Sequence, residues 1–492
     1  MAGRAARGRE SPARAPELYM AEKIETRPVG MPPRTAAPPN GAGVRVASRG
    51  LGTPPTFWLS KTLHRVSRAR RQAILFLAVL GPGLITMVAD NDAGGISTYA
   101  VTGAQYGFDL LWVLLLLLPI AYFVQEMTVR VGAVTKRGHA EVIFEGFGPF
   151  WGWFSVFDLA VVNWLTLITE YIGMTAALSI FGVPEWLTYL VVTAILTAVV
   201  MTGRYWTFEK LTLFFCAFNL VYIPAAFWAM RNPHVPGWSQ VAESFVKPAF
   251  PGGLTAGLLF VILANIGTTI TPWQIFFQQS SVVDKGLDAK HIRYGKWDTA
   301  VGSFLTCAVA AFIIIATGAA FHYHHPPISV EDAKQTAEAI VPLIPGKGHL
   351  ARTLFAIGLF DAGFLGALCV SLSSSWAVGE VFGWAHSLNK GVRDAPWFYV
   401  AYVLTLLSAC AIVLVPGAPL VQITMYVQIA AVTLLPASLL FLILILNDRG
   451  FMGEYVNTRW QNVANWTIVI GLVIISTLFA LGTLFPDFLS RL

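Results

Sequence analysis

Two stretches of this chain carry residues that lipid-facing helices exclude, and they carry them in the middle of otherwise apolar runs. The first, between Gly81 and Thr98, contains Asp90-Asn91-Asp92-Ala93-Gly94-Gly95; the second, between Gly257 and Ser281, contains Gly267-Thr268-Thr269-Ile270-Thr271-Pro272. A carboxylate near the bilayer centre costs about 3 kcal/mol on insertion scales unless a cation, a proton or water compensates it. Asp90 and Asp92, with Asn91 between them, therefore make an oxygen-rich, negative locus, and Gly94 and Gly95 are expected to permit non-helical backbone with free carbonyls. In the second stretch Thr268, Thr269 and Thr271 offer hydroxyls and carbonyls, Pro272 removes a backbone donor, and Trp273 with Gln274 opens the next helical segment. A substrate bringing its own carboxylate would be opposed by two aspartates, so a cation is the better ligand. Hard oxygen donors without thiolate, thioether or imidazole suit Mg²⁺, Ca²⁺ or Mn²⁺ rather than copper or zinc. Mg²⁺ is usually held through one or two carboxylates and keeps several of its waters.

Such residues need a scaffold that brings them to one depth. The chain is 55% hydrophobic and only 12% charged, which is the profile of an all-α polytopic membrane protein and leaves too little polar surface for a soluble one of this length. Cys216, Cys307, Cys369 and Cys410 all lie inside apolar runs, as buried small hydrophobes would, and suggest neither a disulfide framework nor a zinc cluster. Residues 1–70 are rich in Ala, Pro, Gly and Arg, without the apolar core and cleavage site of a signal peptide, and read as a disordered basic tail. Fourteen Lys and Arg precede Ile74, which keeps this end in the cytoplasm.

At roughly 20 apolar residues per span, about eleven helices are predicted, near 73–104, 110–134, 150–181, 185–203, 207–230, 252–283, 298–321, 351–383, 397–415, 419–446 and 465–485. With the N-terminus inside, the cytoplasmic loops collect Lys136, Arg137, Arg204, Lys210, Lys285, Lys290, Lys390, Arg393 and Arg449, and the opposite loops are poor in positive charge apart from the segment between His322 and Arg352. Helices one to five (71–231) and six to ten (250–446) each begin with an interrupted helix and each hold an odd number of spans, so the second set must be inverted; 447–492 adds helix 11. Two inverted five-helix repeats with discontinuous helices 1 and 6 resemble the LeuT-type architecture, whose site lies near the midplane between the breaks.

The residues at those breaks resemble the natural-resistance-associated macrophage protein (NRAMP) family of divalent-metal transporters. Gly81-Pro82-Gly83-Leu84 followed by Asp92-Ala93-Gly94-Gly95 is similar to the family's G-P-G/A-F-L lead into D-P-G-N. Gly267-Thr268-Thr269-Ile270-Thr271-Pro272-Trp273-Gln274 resembles G-A-T-V-M-P-H-N, Thr169-Glu170-Tyr171-Ile172-Gly173 resembles A-E-V-I-G, and Gln428 stands where the family has a tenth-helix glutamine. The resemblance implies Asp92 as metal ligand, with Gly95, Thr268, Thr271 and Gln428 around the ion; Asp90, two residues earlier, is a further candidate from its own place in the break. The resemblance also implies cavity or gating positions for Asn91, Gly94, Pro272, Trp273, Gln278 and Glu170, the last being the family's residue for proton or ion passage.

The chain departs from the family where selectivity is set. The motif asparagine is Gly95, the methionine is Thr271, and the two sixth-helix histidines are Trp273 and Gln278. Loss of the thioether removes the soft donor that favours transition metals, and loss of the histidines removes groups that titrate near neutral pH. This pattern is similar to the NRAMP-related magnesium transporters. The expectation is a plasma-membrane importer (bacterial inner membrane) of partly hydrated Mg²⁺ or Mn²⁺, working as a monomer by alternating access without tight proton coupling, with no resident cofactor and no nucleic-acid partner. The rivals are a proton-coupled Mn²⁺/Fe²⁺ importer, a sodium-coupled amino-acid transporter of the same fold, and a membrane enzyme or scaffold, for which no nucleophile-base pair or phosphate loop is found. Asp158, Asp361 and Glu380 also lie in apolar helices, and His322, His324 and His325 form a candidate surface metal site outside the seventh helix.

Overall fold

The computed structural model describes residues 72, 76–324, 348–414 and 420–485; the basic segment 1–70 and His325 lie outside them. The first apolar run is two helices. Gly81, at φ 152°, turns the chain in a conformation open to glycine, Pro82 starts α1 (Pro82–Val88) at a position where its missing N–H costs nothing, and α2 (Ala93–Tyr106) begins after an interruption at 89–92. The sixth run repeats the device: α10 (Ala256–Thr269) ends, Ile270 and Thr271 are extended, and Pro272 opens α11 (Pro272–Asp284).

Between these breaks run α3 (Leu111–Thr135), the short α4 (His139–Phe147), α5 (Pro149–Ser179), α6 (Glu185–Val200), and α7 (Tyr205–Cys216), which continues through a 3-10 turn at Phe218–Val221 into α8 (Tyr222–Ala229). After the amphipathic α9 (Trp238–Val246) and the broken pair come α12 (Ile292–Thr317), α13 (Gly348–Phe382), α14 (Pro396–Val413), α15 (Leu420–Asn447) and α16 (Arg459–Leu484). Nine helices among the described residues are long and apolar enough to cross a membrane, and the broken first helix with the shorter Glu185–Val200 brings the spans to eleven. The fold is all-α and polytopic, of the LeuT type. Composition did not disclose α4 and α9, because nine-residue helices fall far below the length of a span.

Packing places both breaks at the centre. α5 lies along α13, α1 and α2 lie against α12, and α10 is held between α2 and α15. Asp90, Asn91, Thr268, Thr269, Thr271 and Gln428 are all buried, although each is polar. The four cysteines are free, three of them buried and Cys410 half-buried.

Candidate metal site

The interruption of the first helix is shorter than its glycines suggest. Gly94 and Gly95 belong to the first turn of α2, so they do not supply unwound backbone, and the non-helical residues are those at 89–92. The reason is Asp92. Its side chain caps α2, with Oδ1 accepting from the Gly95 N–H at 2.6 Å, and an aspartate N-cap satisfies the donors a helix start leaves free. The orphan groups of a first helical turn are N–H groups, so Gly95 has no free carbonyl to offer. The glycines serve clearance. A methyl group on Gly94 would collide with the Gln428 Nε2, and one on Gly95 would lie 2.7 Å from the Thr268 Oγ1 and 2.9 Å from the Asp90 carbonyl.

These close approaches define the site. Asp92, Gly94, Gly95, Thr268 and Gln428 meet where α2, α10 and α15 converge, and α5 closes the fourth side with Thr169 and Glu170. Glu170 Oε2 accepts from the Ala93 N–H at 3.0 Å, so it binds the first turn of the helix that Asp92 caps. Gly366 of α13 packs so closely that a methyl there would lie 2.8 Å from Glu170 Oε2 and 2.9 Å from Asp92 Cβ. Two buried polar atoms here have no protein partner, Thr268 Oγ1 and Gln428 Nε2. Buried groups left unpaired in a native fold call for an ion or water. Beyond the Ile266 carbonyl, which accepts from the Ile270 N–H, the last carbonyls of α10 are left without helical donors, and the negative end of that helix dipole favours a cation.

Other sequence candidates are placed differently. Asp90 is fully buried, within the electrostatic reach of Asp92, and faces Gln274, Tyr99 and Cys307. Asn91 donates to the Thr306 carbonyl of α12 at 3.3 Å. Thr271 is the N-cap of α11, its N–H bonded to Gln274 Oε1 at 3.1 Å. Gln278 donates to Thr299 Oγ1 of α12 at 2.9 Å, and buried Trp273 packs edge-on against Phe277 at 6.0 Å. Glu380 accepts from the Ala140 N–H at 3.0 Å and Ser280 Oγ at 2.7 Å, tying α4 to α13, and Asp361 accepts from Asn219 at 3.3 Å. His322 faces the Ala104 carbonyl at 3.3 Å. Among the described residues no three His, Cys, Asp or Glu side chains converge to hold a metal.

Three residues that anchor the first half-helix were not singled out from sequence. Asp298, on α12, accepts from the N–H groups of Gly81 (3.1 Å), Gly83 (2.7 Å) and Leu84 (3.1 Å), and so caps α1 from a distant helix. Lys285, just past α11, bonds Glu209 of α7 at 2.5 Å and the carbonyls of Val79 and Leu80 at 3.0 and 2.9 Å. The signal was present for Glu209 and Asp298, acids at the edges of apolar runs. For Lys285 it was misleading, because the residue counted among the exposed cytoplasmic charges is 7% exposed.

Comparison with known proteins agrees with this arrangement. The profile of the family described as natural resistance-associated macrophage protein-like matches residues 83–482. Among solved structures, a manganese transporter of Eremococcus coleocola, in complex with an aromatic bis-isothiourea substituted compound, superposes with TM-score 0.70 at 20% identity, covering 85% of this chain and 90% of that one. A histidine-to-alanine mutant of the Eremococcus coleocola manganese transporter gives TM-score 0.68 at 20% identity, over 83% of this chain and 88% of that one. With its two broken helices meeting at a buried carboxylate and its profile matched from α1 to α16, the chain belongs to the natural resistance-associated macrophage protein-like family and is a multi-pass membrane transporter, not an enzyme.

Proposed function

We propose that this protein imports a partly hydrated divalent cation, Mg²⁺ or Mn²⁺, across the plasma membrane by alternating access and without tight proton coupling. The observation that carries the reading is the donor set. Asp92 brings the charge, Thr268, Thr271 and Gln428 bring neutral polar groups, and neither a thioether nor an imidazole stands where the family resemblance expects one. Such a set favours hard ions that keep water. The Gly95 position supports the same reading, because the absence of a side chain there brings the Thr268 hydroxyl close to the helix that Asp92 caps.

Alternating access follows from the half-helices. α1 and α11 are short segments, α1 followed by a turn at 89–92 and α11 preceded by extended Ile270 and Thr271, and they can tilt while α5 and α13 stay packed. The lock at Lys285, Glu209 and Asp298 holds the start of α1, so its release opens the path from the ion to the cytoplasmic side, where the N-terminus lies. An inside-negative potential, worth about 2.3 kcal/mol per charge per 100 mV, drives a divalent ion inward without protons. One chain encloses the whole site, which supports a monomer as the working unit.

A second reading is favoured by Glu170. Its bond to Ala93 N–H places a second carboxylate next to Asp92, which is the arrangement a proton-coupled Mn²⁺ or Fe²⁺ importer would use. Flux into liposomes holding a pH-sensitive dye separates the two. Entry of Mg²⁺ and Mn²⁺ with a flat dye trace supports the uncoupled carrier; metal entry with matching acidification supports the coupled one.

A further inference from the structure

The short helix α9 carries its apolar residues at Trp238, Val241, Ala242 and Phe245, the i, i+3, i+4, i+7 spacing of one helical face. Packing against a neighbour normally consumes such a face. Here only Val241 is buried, at 3%, while Trp238 remains 42% exposed. α9 rests on α3 and touches α12 little. Between the three helices lies a cavity of about 370 Å³, walled by that face of α9, by Leu114 and Leu118 of α3, and by Phe304, Cys307 and Ala308 of α12.

The lining excludes most ligands. It holds no charged side chain, and its only polar side-chain groups are the Trp238 indole N–H and the Cys307 thiol. Glu243 and Lys247, the charges on and just past α9, pair with each other outside it. An ion, a sugar or a charged peptide would lose its water there without compensation. Leu115 and Phe304, which also line the cavity, are exposed on the membrane-spanning helices α3 and α12, so the cavity opens sideways to the hydrocarbon layer. An amphipathic helix lying in the interface turns its apolar face to the acyl chains, and an acyl chain of the surrounding lipid is the occupant that fits.

Aromatic contacts hold the groove open. Trp238 packs on Phe227 of α8 at 4.8 Å, and Phe227 on Phe312 of α12 at 6.0 Å, which joins the two walls at one end. Past the other end of α9, Phe250 packs on Trp112 of α3 at 5.6 Å. Left unfilled, the groove would forfeit the dispersion contacts of its lining, and in lipid such packing drives association where the hydrophobic effect does not.

The α12 wall has a second face. Gly302 packs so closely on α1 that a methyl there would lie 2.9 Å from the Gly83 carbonyl oxygen. Thr306 Oγ1 donates to the Met87 carbonyl, and the Thr306 carbonyl accepts from Asn91 at 3.3 Å. The turns that line the cavity at Phe304, Cys307 and Ala308 therefore also grip the first half-helix.

We propose that the groove between α3, α9 and α12 binds one acyl chain of a membrane phospholipid, which backs the turns of α12 that hold α1. The site goes beyond the transport reading and depends only on the protein's place in a membrane.

Full-length protein in phosphatidylcholine liposomes, doped with a phosphatidylcholine that carries a diazirine in one acyl chain, tests this by irradiation and sequencing of the labelled peptides. Label at Leu114, Val241 and Ala308 is expected at about tenfold the level at Leu404 of α14 and Ile470 of α16, two exposed apolar positions outside the groove. Ala242→Trp drops an indole into the groove from an exposed site, and should remove most of the groove label while Leu404 and Ile470 keep theirs. Ala308→Phe fills the same space from the spanning helix and should act alike. Groove label no higher than that at Leu404 and Ile470 overturns the site, since it describes lipid that merely surrounds the protein. So does an excess that survives either filling, which puts the labelled chain elsewhere.

Discussion

Lys285 bonds Glu209 at 2.5 Å while its remaining hydrogens reach the carbonyls of Val79 and Leu80, so one buried ammonium joins α7, the end of α11 and the start of α1. Asp298 completes the hold by accepting three N–H groups from the first turn of α1. Both halves of the fold meet here, at the base of the half-helix whose other end leads into Asp92.

Breaking that lock should bias the transporter toward the state open to the cytoplasm. Removing one partner of a buried ion pair costs about 3–5 kcal/mol, enough to reverse most two-state equilibria. For Lys285→Met, with native cysteines replaced by serine and a reporter cysteine at Val88, faster labelling from the cytoplasmic side is expected. Unchanged labelling would mean that the ion pair holds the fold and not the gate.

Clearance at the glycines gives a second prediction. Gly94→Ala places a methyl against Gln428, and overpacking of this kind costs about 1–3 kcal/mol. Uptake should drop about tenfold, and adding Gln428→Ser should restore part of it, because the shorter side chain vacates the collision. An equal deficit in single and double variants would contradict the packing account.

Selectivity is predicted to move with one donor. Thr271→Met introduces a soft thioether at the N-cap of α11, and Mn²⁺ should then compete about tenfold better against Mg²⁺ in uptake assays. If the ratio stays put, position 271 does not face the ion.

Much of this architecture was readable from the residues. Eleven spans followed from apolar length, and both breaks were marked by Asp90, Asp92 and Pro272, since polar groups and prolines at membrane depth need a special reason. The details of the first break were not readable. A Gly94-Gly95 pair looks like unwound chain, yet Asp92 caps a helix straight through it. That outcome depends on Gln428, Thr268 and Gly366 pressing on the helix, contacts between residues far apart in sequence. Lys285 was misread for the same cause. A lysine at the end of a span counts as a cytoplasmic charge until Glu209, 76 positions away, is seen to bury it.

The central claim is that Asp92 carries the divalent ion through a site of hard oxygens, and flux into dye-loaded liposomes tests it most directly. With wild-type protein, Mg²⁺ and Mn²⁺ should both enter while internal pH holds steady, and Asp92→Ala should abolish entry of both. Entry of Mn²⁺ alone with matching proton influx, or undiminished Mg²⁺ flux through Asp92→Ala, would contradict it.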